Sequence, residues 1–160
     1  GFHNTEHEVT DGGDGNNALK MYGNGKGDGC MLKRFAPIGG PLTISYKFKV
    51  DERGNFEHAF SDVIGTKPMS LRFGKDGKIS LGNSNGYYVN VGNYNKDEWM
   101  DVVVDIDTDK HTYSITINGK KLVHSIRLAD NFYNVSEMEF SNGGMGAIAY
   151  MDDLKVINKY

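Results

Sequence analysis

A single cysteine, Cys30, stands in this chain, so no intramolecular disulfide framework holds it together. A nucleophilic role for Cys30 would need a nearby His and an orienting group. Nothing in Gly29-Cys-Met-Leu-Lys-Arg-Phe35 supplies them, and the run reads as a strand with a small half-buried residue in it. Helical spacing of apolar residues is missing throughout, which excludes a helix bundle. No apolar run approaches the roughly 20 residues of a membrane-spanning helix. Excess positive charge is missing too. The net charge is −3, which gives no electrostatic case for nucleic acid or an acidic membrane. The five His (His3, His7, His58, His111 and His124) show no metal-ligand spacing beyond His3 and His7, four apart in a segment with no helical pattern. No internal repeat or linker breaks the sequence, and 1–160 reads as one domain. The opening Gly1-Phe2-His3-Asn4 reads as the start of an excised module or a processed chain.

What is present is turn chemistry and alternation. The chain has 21 glycines and 11% aromatic residues, a composition that suits strands joined by tight turns. Residues 98–121 organise the rest. Met100, Val102, Val104 and Ile106 are apolar at every second position, the period of a strand with one buried face. Asp107 to Lys110 turns the chain. Tyr113, Ile115 and Ile117 then alternate with Thr112, Ser114 and Thr116. Asn118-Gly119 follows, a pair that tolerates the positive φ values of a type I′ hairpin turn. Leu42, Ile44, Tyr46, Phe48 and Val50 form another clean apolar face. Shorter strands are predicted over 18–22, 30–35, 56–64, 69–73, 79–81, 87–91, 122–128, 135–140 and 147–156. Residues 1–16 read as polar with no clear element. Many short strands at roughly 8- to 12-residue spacing predict an all-β fold, two antiparallel sheets packed face to face.

Three stretches carry a resemblance. Trp99, the Val102/Val104 alternation, Asp107 to Lys110 and Tyr113-Ser-Ile-Thr-Ile-Asn-Gly119 resemble the laminin-G-like and concanavalin A-like jelly rolls. Ala149-Tyr-Met-Asp-Asp-Leu-Lys-Val156 is similar to the closing strand of many bacterial carbohydrate-binding modules, and Asp14-Gly-Asn-Asn-Ala-Leu-Lys-Met21 to their opening loop and strand. The resemblance implies a jelly-roll β-sandwich acting as a non-catalytic carbohydrate-binding module. It implies a polysaccharide or oligosaccharide partner and a monomeric module of a larger protein, secreted or on a bacterial surface, in a glycan-degrading system. The alternatives in the same fold are a laminin-G-like protein-binding or adhesion domain and, third, a small glycoside hydrolase or polysaccharide lyase. The Glu-x-Asp-x-x-Glu strand of the hydrolase version is absent here, as are the Arg-rich and Gln-x-His strands of the lyase version. The usual glycosidase mechanism needs two carboxylates across a cleft, and spacing offers no such pair.

Sugars present apolar C–H faces and many hydroxyls, so their sites combine an aromatic platform with fixed hydrogen-bonding groups. The Asn- and Tyr-rich run Leu81 to Lys96 fits that need. Alternation predicts Val89, Val91 and Tyr87 on one face and Tyr88 and Asn90 on the other, outward, near Arg72. The candidate binding residues are Arg72, Tyr87, Tyr88, Asn90 and Tyr94. The bland reading makes the Asn and Gly turn residues and the Tyr pair strand filling. Trp99, the only tryptophan, lies on the face opposite Met100 and reads as structural. Asp152 shares its parity with Ile148, Tyr150, Leu154 and Val156. A carboxylate on an apolar face needs a partner or a cation, and Ca²⁺ takes 6 to 8 oxygens. A structural Ca²⁺ held by Glu8, Asp14 and Asp152, stapling the two ends, is the expectation. Backbone N–H groups or a Lys would satisfy Asp152 equally. Asn134-Val-Ser136 is a formal glycosylation sequon.

Overall fold

Alternation decides the layers in the computed structural model. Leu42, Ile44, Tyr46, Phe48 and Val50 all turn inward and are buried, as are Met100, Val102, Val104, Ile106, Tyr113, Ile115 and Ile117. The structure describes residues 2–3, 5–11, 17–23, 29–83, 85–143 and 146–160, and side chains within 18–21, 31–83, 85–143 and 146–160. The strands in the first half are β1 (Phe2–His3), β2 (Thr5–Asp11), β3 (Asn17–Gly23), β4 (Gly29–Ile38), β5 (Pro41–Glu52), β6 (Asn55–Ser61) and β7 (Met69–Phe73). Those that follow are β8 (Lys78–Asn83), β9 (Tyr88–Asn93), β10 (Met100–Asp107), β11 (Thr112–Ile117), β12 (Lys120–Arg127), β13 (Val135–Gly143) and β14 (Ile148–Asn158). One antiparallel sheet runs β1-β4-β13-β6-β7-β8-β9, and the other β12-β11-β10-β5-β14-β3-β2. This is the expected all-β sandwich. The polar amino-terminal stretch adds two strands, β1 and β2, where the sequence shows no clear apolar pattern.

The β10–β12 meander sits where residues 98–121 place it. Asn118 and Gly119 have φ of 52° and 77°, the left-handed values the hairpin turn requires. Asn118 also clamps the start of β10. Its Oδ1 accepts the Asp101 N–H at 2.9 Å, and its own N–H donates to the Asp101 carbonyl. Asp107 Oδ1 accepts the N–H groups of Asp109 and Lys110, an Asx turn that closes the other end of the hairpin.

The two inner faces meet in an aromatic layer. Phe48 packs on Phe73 at 5.0 Å, on Phe56 at 5.7 Å and on the His58 ring at 4.5 Å. His58 is 1% exposed, and its Nδ1 shares a 2.6 Å hydrogen bond with the Tyr46 hydroxyl. Burial lowers His58 to about 3 from an ordinary 6.5, because an apolar layer disfavours the imidazolium. The unfolded chain therefore takes up a proton below about 6.5 that the folded chain refuses. Stability is full above that pH and falls steadily as the pH drops towards about 3. Urea titrations at about pH 7 and about pH 4 are expected to show a clear loss of unfolding free energy, and His58→Asn is expected to flatten that slope.

Candidate functional site

β6, β7 and β8 each turn large apolar side chains inward and small or polar ones outward. Register then aligns the outward residues in two adjacent rows. One row runs Glu139, Ala59, Ser70, Gly82, Tyr88 and the other Ser141, Glu57, Arg72, Ser80, Asn90. The middle of the first row is a floor of small residues. Larger side chains close over it from both rows.

Arg72 and Glu57 form the centre of this face. Arg72 Nη2 donates to Glu57 Oε2 at 3.3 Å, and both side chains are about a third exposed. The Tyr88 hydroxyl donates to the other Glu57 oxygen at 3.0 Å. The Arg72 guanidinium lies 3.6 Å from the centre of the Tyr88 ring, a close cation–π contact. Burial raises the Tyr88 phenol above its ordinary pKa, against the opposing hydrogen bond from Ser70. Arg72 Nε is buried without a hydrogen-bond partner among the described residues. Two further ion pairs border the floor. Lys67 Nζ donates to Glu139 Oε2 at 2.7 Å, and Arg34 Nε donates to Glu137 Oε2 at 2.7 Å. Ser141 Oγ donates to Glu139 Oε1.

Gly82 makes this arrangement possible. A Cβ at that position would lie 2.6 Å from Tyr88 Cε1 and 2.6 Å from Ser70 Oγ, so the ring can cross the sheet only because residue 82 has no side chain. Gly82→Ala is expected to lift Tyr88 off the sheet and release it from Glu57. The measurable result is weakened ligand binding with a melting temperature lowered by only a few degrees, roughly 1 kcal/mol or less.

Arg72, Tyr88 and Asn90 therefore share one face, as alternation predicts. Tyr88 is a partner of Arg72, since one ring face is covered by the guanidinium. Tyr87 goes elsewhere. It is 72% exposed and lines an apolar groove of about 380 Å³ at the open edge of the sandwich, with Leu81, Val89, Leu122, His124 and Ile126. Val89, expected to face the core, is 65% exposed, because β9 and β12 are edges of the two sheets and no strand among the described residues closes over them. Tyr94 is not a surface residue. It is 5% exposed, its hydroxyl donates to the Gly74 carbonyl at 2.6 Å, and Arg53 lies over its ring. Beside Tyr87, Asn83 and Gly86 are turn residues. Asn83 Oδ1 accepts the N–H groups of Asn85 and Tyr87, and Gly86 has φ of 78°. Trp99 sits on the outer face of the other sheet, half-buried, edge-on to Tyr150 at 6.5 Å and beneath Lys49 Nζ.

The expected cation site divides. Asp14 lies outside the described residues, and only the backbone of Glu8 is described. Asp152 is not on the buried face of its strand. A bulge between Asp152 and Lys155, with Asp153 at φ 52°, switches the parity of β14. Ala149 and Met151 point inward before it, and Leu154 and Val156 pack on the core after it. Asp152 is half-exposed opposite Lys47, and its Oδ1 accepts the Asp153 N–H at 2.8 Å. Among the described residues no three His, Cys, Asp or Glu side chains gather as a metal site.

Glu57 is the residue sequence reasoning missed. Its place opposite Arg72 depends on the β6–β7 register, and the mixed apolar pattern of β6 hides which way it points.

Solved structures share this architecture at low identity. A sialidase matches with a TM-score of 0.77 and 14% identity over 89% of this chain, which spans 15% of that protein's length. A Bacillus subtilis protein of unknown function with a galectin-like fold matches with a TM-score of 0.70 and 10% identity, covering 98% of this chain and 89% of that one. A tetrameric galectin from the ball sponge Cinachyrella sp. matches with a TM-score of 0.60 and 15% identity, covering 79% and 98%. No curated protein sequence matches. These likenesses establish the fold. The family is established by a sequence model that matches residues 7–153, nearly the whole sandwich and the entire two-row face: the chain belongs to the Sialidase-like, CBM domain family of carbohydrate-binding domains.

Proposed function

We propose that this domain is a non-catalytic carbohydrate-binding module that holds a polysaccharide or oligosaccharide on the outer face of the β6–β9 strands. The observation that supports it is the Glu57–Arg72–Tyr88 cluster. It offers fixed donors and acceptors beside an aromatic ring on an exposed sheet, the combination that sugar hydroxyls and C–H faces require. Glu57, Arg72 and Asn90 supply hydrogen bonds, Tyr88 orients Arg72, and Ser80 lies between Arg72 and Asn90 in the same row. The reading extends to the setting: a monomeric module of a larger secreted or surface glycan-degrading protein.

Affinity electrophoresis against plant, algal and host polysaccharides tests it. Retardation by at least one is expected, reduced by Tyr88→Ala, which leaves the fold intact. No retardation on any of them would count against the sugar reading. The competing adhesion reading has its own observation, the exposed apolar groove of Tyr87, Val89 and Ile126. It would gain if Val89→Asp abolished binding to a protein partner while Tyr88→Ala did not. Release of reducing ends or unsaturated product from the retained polysaccharide would revive the enzyme reading.

A further inference from the structure

The charge pattern over the small-residue floor narrows the class of glycan. This step rests on the carbohydrate-binding reading of the same face. Three cations border the floor, and each is already engaged by a carboxylate: Arg72 by Glu57, Lys67 by Glu139 and Arg34 by Glu137. The carboxylates Glu57, Glu137 and Glu139 thus match Arg34, Lys67 and Arg72 one for one. Lys78, exposed at the start of β8, stands beyond Ser80 at the end of the face.

We infer that the face selects neutral sugars carrying adjacent hydroxyls, and discriminates against sugars that carry a carboxylate. An anionic sugar needs a cation with donors to spare. Lys78 offers one flexible ammonium at the far end of the face; at its centre an anionic sugar would have to displace Glu57 from Arg72, or approach the remaining guanidinium N–H groups beside the Glu57 carboxylate, and either sets two carboxylates side by side. Like charges forced together oppose binding. A hydroxyl meets no such obstacle. It donates to a carboxylate oxygen and accepts from a guanidinium or ammonium hydrogen at the same time. The edge of an ion pair presents one acceptor and one donor a few ångströms apart, the spacing of two neighbouring ring hydroxyls. The Glu57–Arg72 edge is the best placed of the three. Both its side chains are part-exposed. Tyr88 fixes both partners, through its hydroxyl to Glu57 and its ring to Arg72.

The test compares neutral oligosaccharides with the same oligosaccharides capped by a sialic or uronic acid, by calorimetry and affinity electrophoresis. Neutral probes are expected to bind, with affinity nearly unchanged between about 0.05 and about 0.5 M salt, because no net charge is being neutralised. Acid-capped probes are expected to bind at least about 10-fold more weakly. Glu57→Gln keeps the shape of the side chain and frees the Arg72 charge. In that variant the acid-capped probes are expected to gain about 10-fold while the neutral ones lose affinity. Equal or stronger binding of the acid-capped probes by the unaltered domain, weakening with salt, would overturn the neutral-sugar inference and leave the carbohydrate reading standing. Binding of neither kind would remove the carbohydrate reading itself, and this inference with it. Melting temperatures of both proteins confirm that folded domains are being compared.

Discussion

Arg72→Ala is expected to lower glycan affinity about 10- to 100-fold if the proposed face is the binding site, the size that follows when a charge-assisted hydrogen-bonding group is removed and its partner is left behind. Three losses combine. The donors to the sugar go. Glu57 loses its cation, so its carboxylate draws a compensating cost at the same site. Tyr88 loses the guanidinium that covers its ring at 3.6 Å and gains freedom that binding must then remove. Arg72→Lys keeps the charge but has neither the fork nor the planar stacking surface, and it recovers only part of the affinity. Stability changes little in either variant, since part-exposed ion pairs contribute roughly 0–1 kcal/mol. Calorimetric titration beside a thermal melt separates the two effects. A large loss of melting temperature with binding preserved would mean that Arg72 is a structural residue.

Phe48→Ala is the largest expected effect on the fold itself, a loss of about 3–5 kcal/mol. Phe48 is fully buried. It joins β5 of one sheet to β6 and β7 of the other, through Phe56, Phe73 and His58. Truncation leaves a cavity bordered by the His58 ring, and a polar group beside a void invites water into the layer. Small domains have only about 5–15 kcal/mol in total, so the variant populates unfolded chains at moderate temperature. The urea midpoint checks the size of the effect. A loss under about 1 kcal/mol would mean that the layer collapses around the gap.

The sandwich was legible where one face of a strand is buried and the other wet. β5, β10 and β11 alternate cleanly because each has a core side and a solvent side, and Asn118-Gly119 names its own turn. Legibility failed where that asymmetry fails. β1 and β2 carry polar residues with no apolar period, so nothing in the residues separates them from loop. β14 looks like one continuous alternation, but the bulge at Asp153 reverses it. That single extra residue moved Asp152 from an inferred apolar face to the surface and removed the reason for a cation there. β9 shows the same limit at a sheet edge. Val89 has the parity of a core residue, but no strand among the described residues covers it.

The candidate site was half legible for a related reason. Alternation places Arg72, Tyr88 and Asn90 outward, and outward residues on paired strands can meet. Which of them do meet is set by register, and register between β6, β7, β8 and β9 depends on turn lengths and on a bulge between Ile79 and Ser80. Glu57 enters the cluster through that register alone. Tyr94 leaves it because its ring folds under Arg53 and its hydroxyl finds the Gly74 carbonyl, a contact that composition cannot signal.

The two-row face is the proposed glycan surface. Amide chemical-shift mapping, during titration with an oligosaccharide of the polysaccharide that retards the domain, tests it residue by residue. The shifts are expected to concentrate on Glu57, Ser70, Arg72, Gly82, Tyr88 and Asn90. Shifts confined to Tyr87, Val89, Leu122 and Ile126, with Glu57 and Arg72 silent, would place the sugar in the edge groove and rule out binding on the two-row face.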